Sequence, residues 1–122
     1  MIKEKQNMIR KSTFMYDEDL DRLMIFNNLK ADEQVYGSVH ILNLVLDITT
    51  KNRIANIEIR NVSEYLKSID KNPDILKMLN SAKISVLPVR GGFIIQIILE
   101  GLNKIEEIPY TIPTEEKILI TA

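Results

Sequence analysis

Four acidic side chains stand within the five positions from Asp17 to Asp21. They place carboxylates at the first, third and fifth positions of a potential calcium-binding loop. Such a loop also needs a glycine at its sixth position and a glutamate at its twelfth, where this chain has Arg22 and Asn28. We therefore predict no metal site here, but a tight hairpin turn in which the carboxylates of Asp17 and Asp21 accept hydrogen bonds from turn amides.

The other residue types that carry out catalysis lack companions in the sequence. The chain has no cysteine and a single histidine, His40, and none of its serines lies in a G-x-S-x-G turn. The segment Arg90–Gly92 is too short to cradle a phosphate group. We therefore predict no catalytic residue, no cofactor and no enzymatic activity. A cleft in which His40, Asp47 and an acid of the turn converged would favour an enzyme instead.

Length and charge indicate how the chain is organised. Its 122 residues suit one domain, and no run of about 18 apolar residues is present that could span a membrane. Lys3, Lys5, Arg10 and Lys11 stand against Glu4 in the first eleven residues, which gives this segment a net charge of about +3. We predict a flexible basic arm over residues 1–11, a single domain over residues 12–122, a cytoplasmic location and no membrane partner.

Alternation of apolar and polar residues predicts the strands of the first half. The predicted strands are Thr13–Tyr16, Arg22–Asn27, Ile41–Ile48 and Ile54–Arg60, with Val35–Val39 as a further short candidate. Leu42 begins the apolar, even-numbered face of the third of these strands, and that face is expected in the core. Together these strands predict an antiparallel β-meander of about four strands.

Helical spacing replaces the alternation over residues 62–81. Asn61 or Ser63 is a suitable N-cap for a first helix, and Asn72 followed by Pro73 predicts a second helical start.

Strands resume after the helical segment. Ile84–Val89 and Phe93–Glu100 flank the Arg90–Gly92 turn, and Ile105–Ile112 follows them. The sequence thus predicts an α+β fold, in which the meander is followed by a short helical segment and then by a second antiparallel unit of about three strands.

A series of short motifs runs through residues 13–63. In chain order they are Tyr16-Asp17, Asp21-Arg22-Leu23-Met24-Ile25-Phe26, Val45-Leu46-Asp47, Ile54, Ile57-Glu58-Ile59 and Val62-Ser63. They resemble a small bacterial and archaeal family that is catalogued only as a domain of unknown function. The chain departs from the family at two glycines, which are replaced by Asn52 and Asn56, and at an alanine, which is replaced by Val62. The resemblance implies a small β-meander protein without an agreed activity. Some members are similar to small partner proteins encoded beside toxin-like neighbours, which implies a binding role.

The C-terminal half carries more apolar side chains than one face of a three-stranded sheet can bury. The candidate oligomer interface that results consists of Ile94, Gln96, Ile98, Ile108, Ile112, Ile118 and Ile120. Burying each isoleucine stabilises the protein by about 1.5–3 kcal/mol. These side chains therefore lie either beneath the helices of the same chain or in a two-fold subunit interface. We predict the interface, and hence a homodimer.

Basic residues offer an alternative partner. The candidate nucleic-acid contacts are Lys3, Lys5, Arg10 and Lys11 of the arm and Lys51, Arg53 and Arg60 of the meander. A net charge of −1 disfavours tight non-specific binding to nucleic acid. The sequence thus favours a non-enzymatic binding or regulatory protein, a homodimer that engages a protein partner, with an antitoxin-like role as one option. Binding to nucleic acid or to the ribosome is the alternative.

Overall fold

In the computed structural model, which describes residues 14–113 and Thr121, the strands form two antiparallel sheets. The first sheet contains β1 (Phe14–Asp17), β2 (Arg22–Phe26), β3 (Val35–Ile41), β4 (Leu44–Thr49) and β5 (Ile54–Arg60). Its strand order is β1-β2-β5-β4-β3, so β3, β4 and β5 form a meander and the β1–β2 hairpin pairs with β5. The chain is mainly antiparallel β with few helical residues, which is compatible with the predicted α+β class; the predicted meander of about four strands is a three-stranded meander extended by a hairpin.

The alternation of side chains in β5 continues across the neighbouring strands. Ile59 pairs with Leu23 of β2 and with Leu44 of β4, and all three are buried. Glu58, one residue earlier, lies on the opposite face beside Met24. The first sheet therefore has one apolar face in the core and one mixed face outside it.

Two short helices connect the sheets. The α-helix α1 covers Val62–Ser68, and a 3₁₀ helix covers Pro73–Met78. The side chain of Asn72 accepts a hydrogen bond from the Asp74 amide at 3.0 Å, which confirms the predicted second start. The predicted helical segment ends too late, because residues 79–81 already belong to the next strand.

The second sheet contains β6 (Leu79–Val89), β7 (Gly92–Gly101) and β8 (Lys104–Pro113), with β7 in the middle. Leu66 of α1 and Ile75 of the 3₁₀ helix join the buried face of this sheet in one core with the first sheet. The ring of the partly buried Tyr65 stacks on that of the buried Tyr110, with their centroids 5.0 Å apart. Within the described part of the chain, no helix has the length and apolar character needed to cross a membrane.

A turn at Leu42 and Asn43 divides the predicted strand Ile41–Ile48. Leu42 adopts a φ of 54° there and is exposed, so its predicted place in the core is wrong. The turn that precedes β5 also uses the left-handed region, with Asn52 at a φ of 57°. Asparagine tolerates this conformation better than most residues, which explains how it can stand where the family pattern has glycine.

Candidate functional site

Hydrogen bonds join the acidic turn of the β1–β2 hairpin to the start of α1. Asp21 accepts hydrogen bonds from the Ser63 amide at 3.1 Å, from the Ser63 hydroxyl at 2.7 Å and from the Tyr16 hydroxyl at 2.9 Å. The three residues of this Asp21 cluster belong to the motifs that carry the family resemblance, although Asp21 and Ser63 lie 42 positions apart. The hydrogen bonds therefore fix the hairpin against the helix.

Burial opposes ionisation of Asp21, but the hydrogen bonds from Ser63 and Tyr16 outweigh it and hold the pKa of the carboxyl below its usual range. Burial and the contact with Asp21 raise the pKa of Tyr16 to about 12. A general base needs a pKa near the working pH, so an Asp21 carboxylate of low pKa is poorly suited to activate the Ser63 hydroxyl. The cluster thus has the properties of a structural clamp.

The predicted turn role is confirmed for Asp17 and wrong in one respect for Asp21. Asp17 accepts a hydrogen bond from the Leu20 amide, three residues on in the turn, at 3.2 Å. Asp21 instead reaches the amide of Ser63 outside the turn. Asp21 has a φ of 52°, a left-handed conformation that aspartate tolerates better than most residues.

A cleft of about 290 Å³ lies beside the acidic turn. Its lining residues are Tyr16, Glu18, Asp21, Ser63, Lys67, Pro73, Asp74 and Lys77. Glu18 and Lys77 form an ion pair of 3.0 Å across it. A second cavity, of about 210 Å³, is lined by Asp47 on the mixed face of the first sheet, and His40 lines neither of the two. His40, Asp47 and the acids of the turn therefore do not converge in either cleft.

Arg53, a predicted nucleic-acid contact, belongs to a buried network instead. Its guanidinium donates to Glu33 at 2.9 and 3.1 Å, and the Thr49 hydroxyl donates to the same carboxylate at 2.7 Å. The hydrogen bonds from Arg53, and after them the one from the Lys30 amide, lower the pKa of the Glu33 carboxyl to about 2. Sequence reasoning missed this network. The sequence does contain one indication of it. Arg53 has an odd number like the buried Ile57, so strand alternation places the two side chains on the same face of the sheet.

The proposed basic patch on the meander is also wrong. Lys51 pairs with Asp32 at 2.6 Å, and Arg60 pairs with Glu58 at 3.1 Å. Arg53 and Arg60 stand at opposite ends of β5, about 23 Å apart at about 3.3 Å per residue. These residues therefore form no common surface. Lys3, Lys5, Arg10 and Lys11 lie outside the described residues.

The candidate oligomer interface is divided between two faces of the second sheet. Ile108 pairs with Ile97 and Ile112 pairs with Phe93, and all four point into the core. The prediction is wrong for Ile108 and Ile112, because strand register places them on the face opposite Ile94. Ile118 and Ile120 lie outside the described residues.

Ile94, Gln96 and Ile98 define the open face of the second sheet, the face that points away from the core. Register adds further residues to this open face, namely Ser81, Lys83, Ser85, Leu87, Val89, Glu100, Ile105, Glu107, Pro109 and Thr111. Leu87 is 58% exposed and Ile105 is 63% exposed, while Ile94 and Ile98 are half-buried. The helices lie on the core side, so they do not cover this face as the alternative expectation required.

Two opposite charges flank the centre of the open face. Ile98 pairs with Lys83 on one side and with Glu107 on the other. The Gln96 amide donates to the Glu107 carboxylate at 2.8 Å, which holds that carboxylate on the face. Lys83 takes part in none of the ion pairs found among the described residues. The open face thus carries apolar side chains along its central strand, Lys83 and Glu107 on opposite edges, and Glu100 near one end of the central strand.

Comparison with known proteins adds no relative: no family model, curated protein or solved structure matches the chain. The family resemblance of residues 13–63 stays a prediction, and the function has to be argued from these surfaces.

Proposed function

We propose that this chain is a non-enzymatic binding protein that acts as a homodimer and engages a protein partner. The observation that carries the proposal is the open face of the second sheet. Leu87 and Ile105 are each more than half exposed on it, next to Ile94 and Ile98. Several exposed apolar side chains on one face are typical of an interaction site.

A second copy of the chain fits the open face through its charges. In this dimer the open faces of two copies stack on each other, and a two-fold axis runs between them parallel to β7. The strands of both copies then run in the same direction, and β6 of each copy lies opposite β8 of the other. Lys83 on β6 of one copy then faces Glu107 on β8 of the other, and the pair occurs twice. Ile94, Gln96 and Ile98 meet their own counterparts along the axis. Glu100, near the end of the same strand, also meets its counterpart, a like-charge contact that the two Lys83–Glu107 pairs must outweigh. Such self-complementarity is what a two-fold interface requires.

Light scattering coupled to size exclusion tests the dimer. The wild type is expected at twice the chain mass of 14.1 kDa. Leu87→Glu and Ile105→Glu replace side chains that are exposed in the single chain, so each variant should fold and shift to the monomer mass. Met78→Glu is the matched control, because Met78 is 59% exposed but lies in the 3₁₀ helix. A monomeric wild type refutes the dimer, and equal dissociation of all three variants refutes the open face as its interface.

The protein partner is inferred from the family resemblance, whose members include small partner proteins of toxin-like neighbours. Affinity purification from the native cell, with and without nuclease treatment, tests this part. Recovery of one stoichiometric protein after nuclease treatment is expected. Recovery of nucleic acid alone, lost steeply with added salt, would contradict a protein partner and favour the alternative.

A further inference from the structure

The four edge strands of the two sheets differ in how they are protected. An edge strand exposes unpaired amide and carbonyl groups, and natural proteins block such edges with prolines, charges or short strands. Within the described residues β1 covers four positions and ends at Asp17. β6 carries Lys83 and Pro88, and β8 carries Pro109 and several charged residues. Three of the edges therefore carry devices that resist the addition of another strand.

The fourth edge, β3, carries one protective device, a bulge at its start, and none over residues 38–41. It runs over seven residues, Val35–Ile41, without a proline, lysine, arginine, aspartate or glutamate. Tyr36 is 63% exposed and Val39 is 43% exposed, and Val35 is exposed as well. A bulge between Val35 and Gly37 is the single irregularity, and it leaves Ser38 to Ile41 in regular register with β4.

The outer edge of β3 is ready to pair. Hydrogen-bonded and non-hydrogen-bonded pairs alternate along an antiparallel ladder, so every second residue between Ser38 and Ile41 directs its amide and carbonyl away from β4. The start of the strand is held in place, because the Thr50 amide donates to the Gln34 carbonyl at 2.8 Å. The buried Glu33–Arg53 pair fixes the segment just before it. A pre-organised edge loses little conformational freedom when another strand binds.

We propose that β3 accepts an extended segment of the partner protein as an additional antiparallel or parallel strand of the first sheet. This inference rests on the proposed function and names the way in which the partner is recognised. The partner's segment is expected to be uncharged at its centre and to place apolar side chains beside Tyr36 and Val39 of β3. Main-chain hydrogen bonds supply the affinity in such strand addition, and alternate side chains supply the specificity. A second copy is the poorer occupant, because β3 offers it only four regular residues, whereas the open face offers complementary charges and a larger apolar strip.

Selection from a phage-displayed library of random 12-residue peptides on the wild-type protein provides the probe. The best synthetic peptide is then titrated against the wild type, Val39→Lys and Tyr36→Lys by isothermal calorimetry. At least tenfold weaker binding is expected for both variants, because each imitates the natural protection of an edge. Met78→Lys and Leu20→Lys are the matched controls, since these side chains are equally exposed and lie off the edge. Thermal melting confirms that each variant is folded.

Hydrogen exchange measured by mass spectrometry locates the bound peptide. Protection of amides between Ser38 and Ile41 on peptide binding is expected. The proposal is overturned if no peptide is enriched, if the edge variants bind as tightly as the wild type, or if protection falls on other strands. Light scattering separates this result from the proposed homodimer. The edge variants should keep the dimer mass, and their dissociation to monomers would show that a second copy occupies β3 instead. A monomeric wild type that still binds the peptide at β3 would refute the dimer and support the strand addition.

Discussion

The substitution Asp21→Asn tests whether the Asp21 cluster holds the fold together. Asparagine has the same shape and tolerates the φ of 52° at this position, so the change removes the charge with little strain. The asparagine side chain keeps one oxygen that can accept a hydrogen bond from Ser63. An amide nitrogen replaces the other carboxylate oxygen, so one acceptor and the negative charge are lost. Hydrogen bonds to charged groups contribute about 1.5–3 kcal/mol, and partial exposure of Asp21 favours the lower end of that range. We expect a loss of about 1.5–2 kcal/mol in the free energy of unfolding at pH 7.

Urea denaturation at a fixed protein concentration is the suitable assay, because dimerisation would make stability depend on concentration. In thermal melting the same loss corresponds to a decrease in Tm of about 6 °C for a chain of this size. Asp19→Asn is the matched control, since Asp19 is exposed and no hydrogen bond to its side chain is found among the described residues. A loss below about 0.5 kcal/mol for Asp21→Asn, indistinguishable from that control, would refute the structural role of the cluster.

The pH dependence gives the prediction a second test. The folded state lowers the pKa of Asp21 below its ordinary value of 3.8, so folding favours the ionised form. The stabilisation is therefore fully present above about pH 4 and is lost as the pH falls through the folded-state pKa. The difference between wild type and Asp21→Asn should shrink as the pH drops below 4. A difference that stays constant down to pH 2 would contradict this assignment.

Three further substitutions test the core and its buried polar groups. Glu33→Gln should lower Tm at pH 7, and because the folded-state pKa of Glu33 is about 2 against an ordinary 4.5, its difference from wild type should narrow as the pH falls from 4.5 to 2. Tyr110→Phe removes the hydrogen bond of 3.1 Å to Asn43 and should lower the free energy of unfolding in urea by about 1 kcal/mol. Gly101→Ala should cost about 1–3 kcal/mol in the same assay, because its Cβ would lie 2.5 Å from the Met78 carbonyl oxygen.

Each of these expectations has a result that would count against it. An unchanged Tm for Glu33→Gln at pH 7 would mean that the buried ion pair does not stabilise the fold. A neutral Tyr110→Phe would mean that water replaces the hydroxyl without loss. A stable Gly101→Ala would mean that the 3₁₀ helix can move away from β7.

Local sequence patterns predicted the strands well where alternation is uninterrupted. From Ala55 to Arg60 every second side chain of β5 is buried, and the alternation predicts both bounds of the strand as the structure has them, Ile54–Arg60. The hairpin at Arg90 and Gly91 was likewise predicted, because glycine is the usual residue for a φ of 81°. These features depend on neighbouring residues only, so the sequence contains them directly.

The features that sequence reasoning missed depend on contacts between distant residues. Leu42 adopts a left-handed turn conformation that costs an ordinary residue about 1–2 kcal/mol. A leucine is therefore not expected in such a turn, and the alternation of apolar residues on both sides of it predicted an unbroken strand. The assignment of Ile108 and Ile112 to an interface failed because the register of β8 against β7 decides which face they occupy. Arg53 looked like a surface cation because its partner Glu33 lies 20 positions away.

Only part of the open face could be predicted from the sequence. Ile94 and Ile98 were recognised as surplus apolar residues, and they do lie away from the core. Leu87, Ile105 and the charge pair across Ile98 became visible only with the strand register.

The central claim is that two copies meet across their open faces with Lys83 opposite Glu107. Native mass spectrometry of two charge-reversal variants, alone and mixed, tests it most directly. Lys83→Glu and Glu107→Lys should each weaken the homodimer, because each sets like charges opposite one another. An equimolar mixture should restore dimers that contain one copy of each variant. The same exchange at Lys67 and Glu64, an exposed pair 3.9 Å apart on α1, serves as the control and should leave the dimer intact. Dimers of normal strength in both single variants, or a mixture that stays monomeric, would contradict the account.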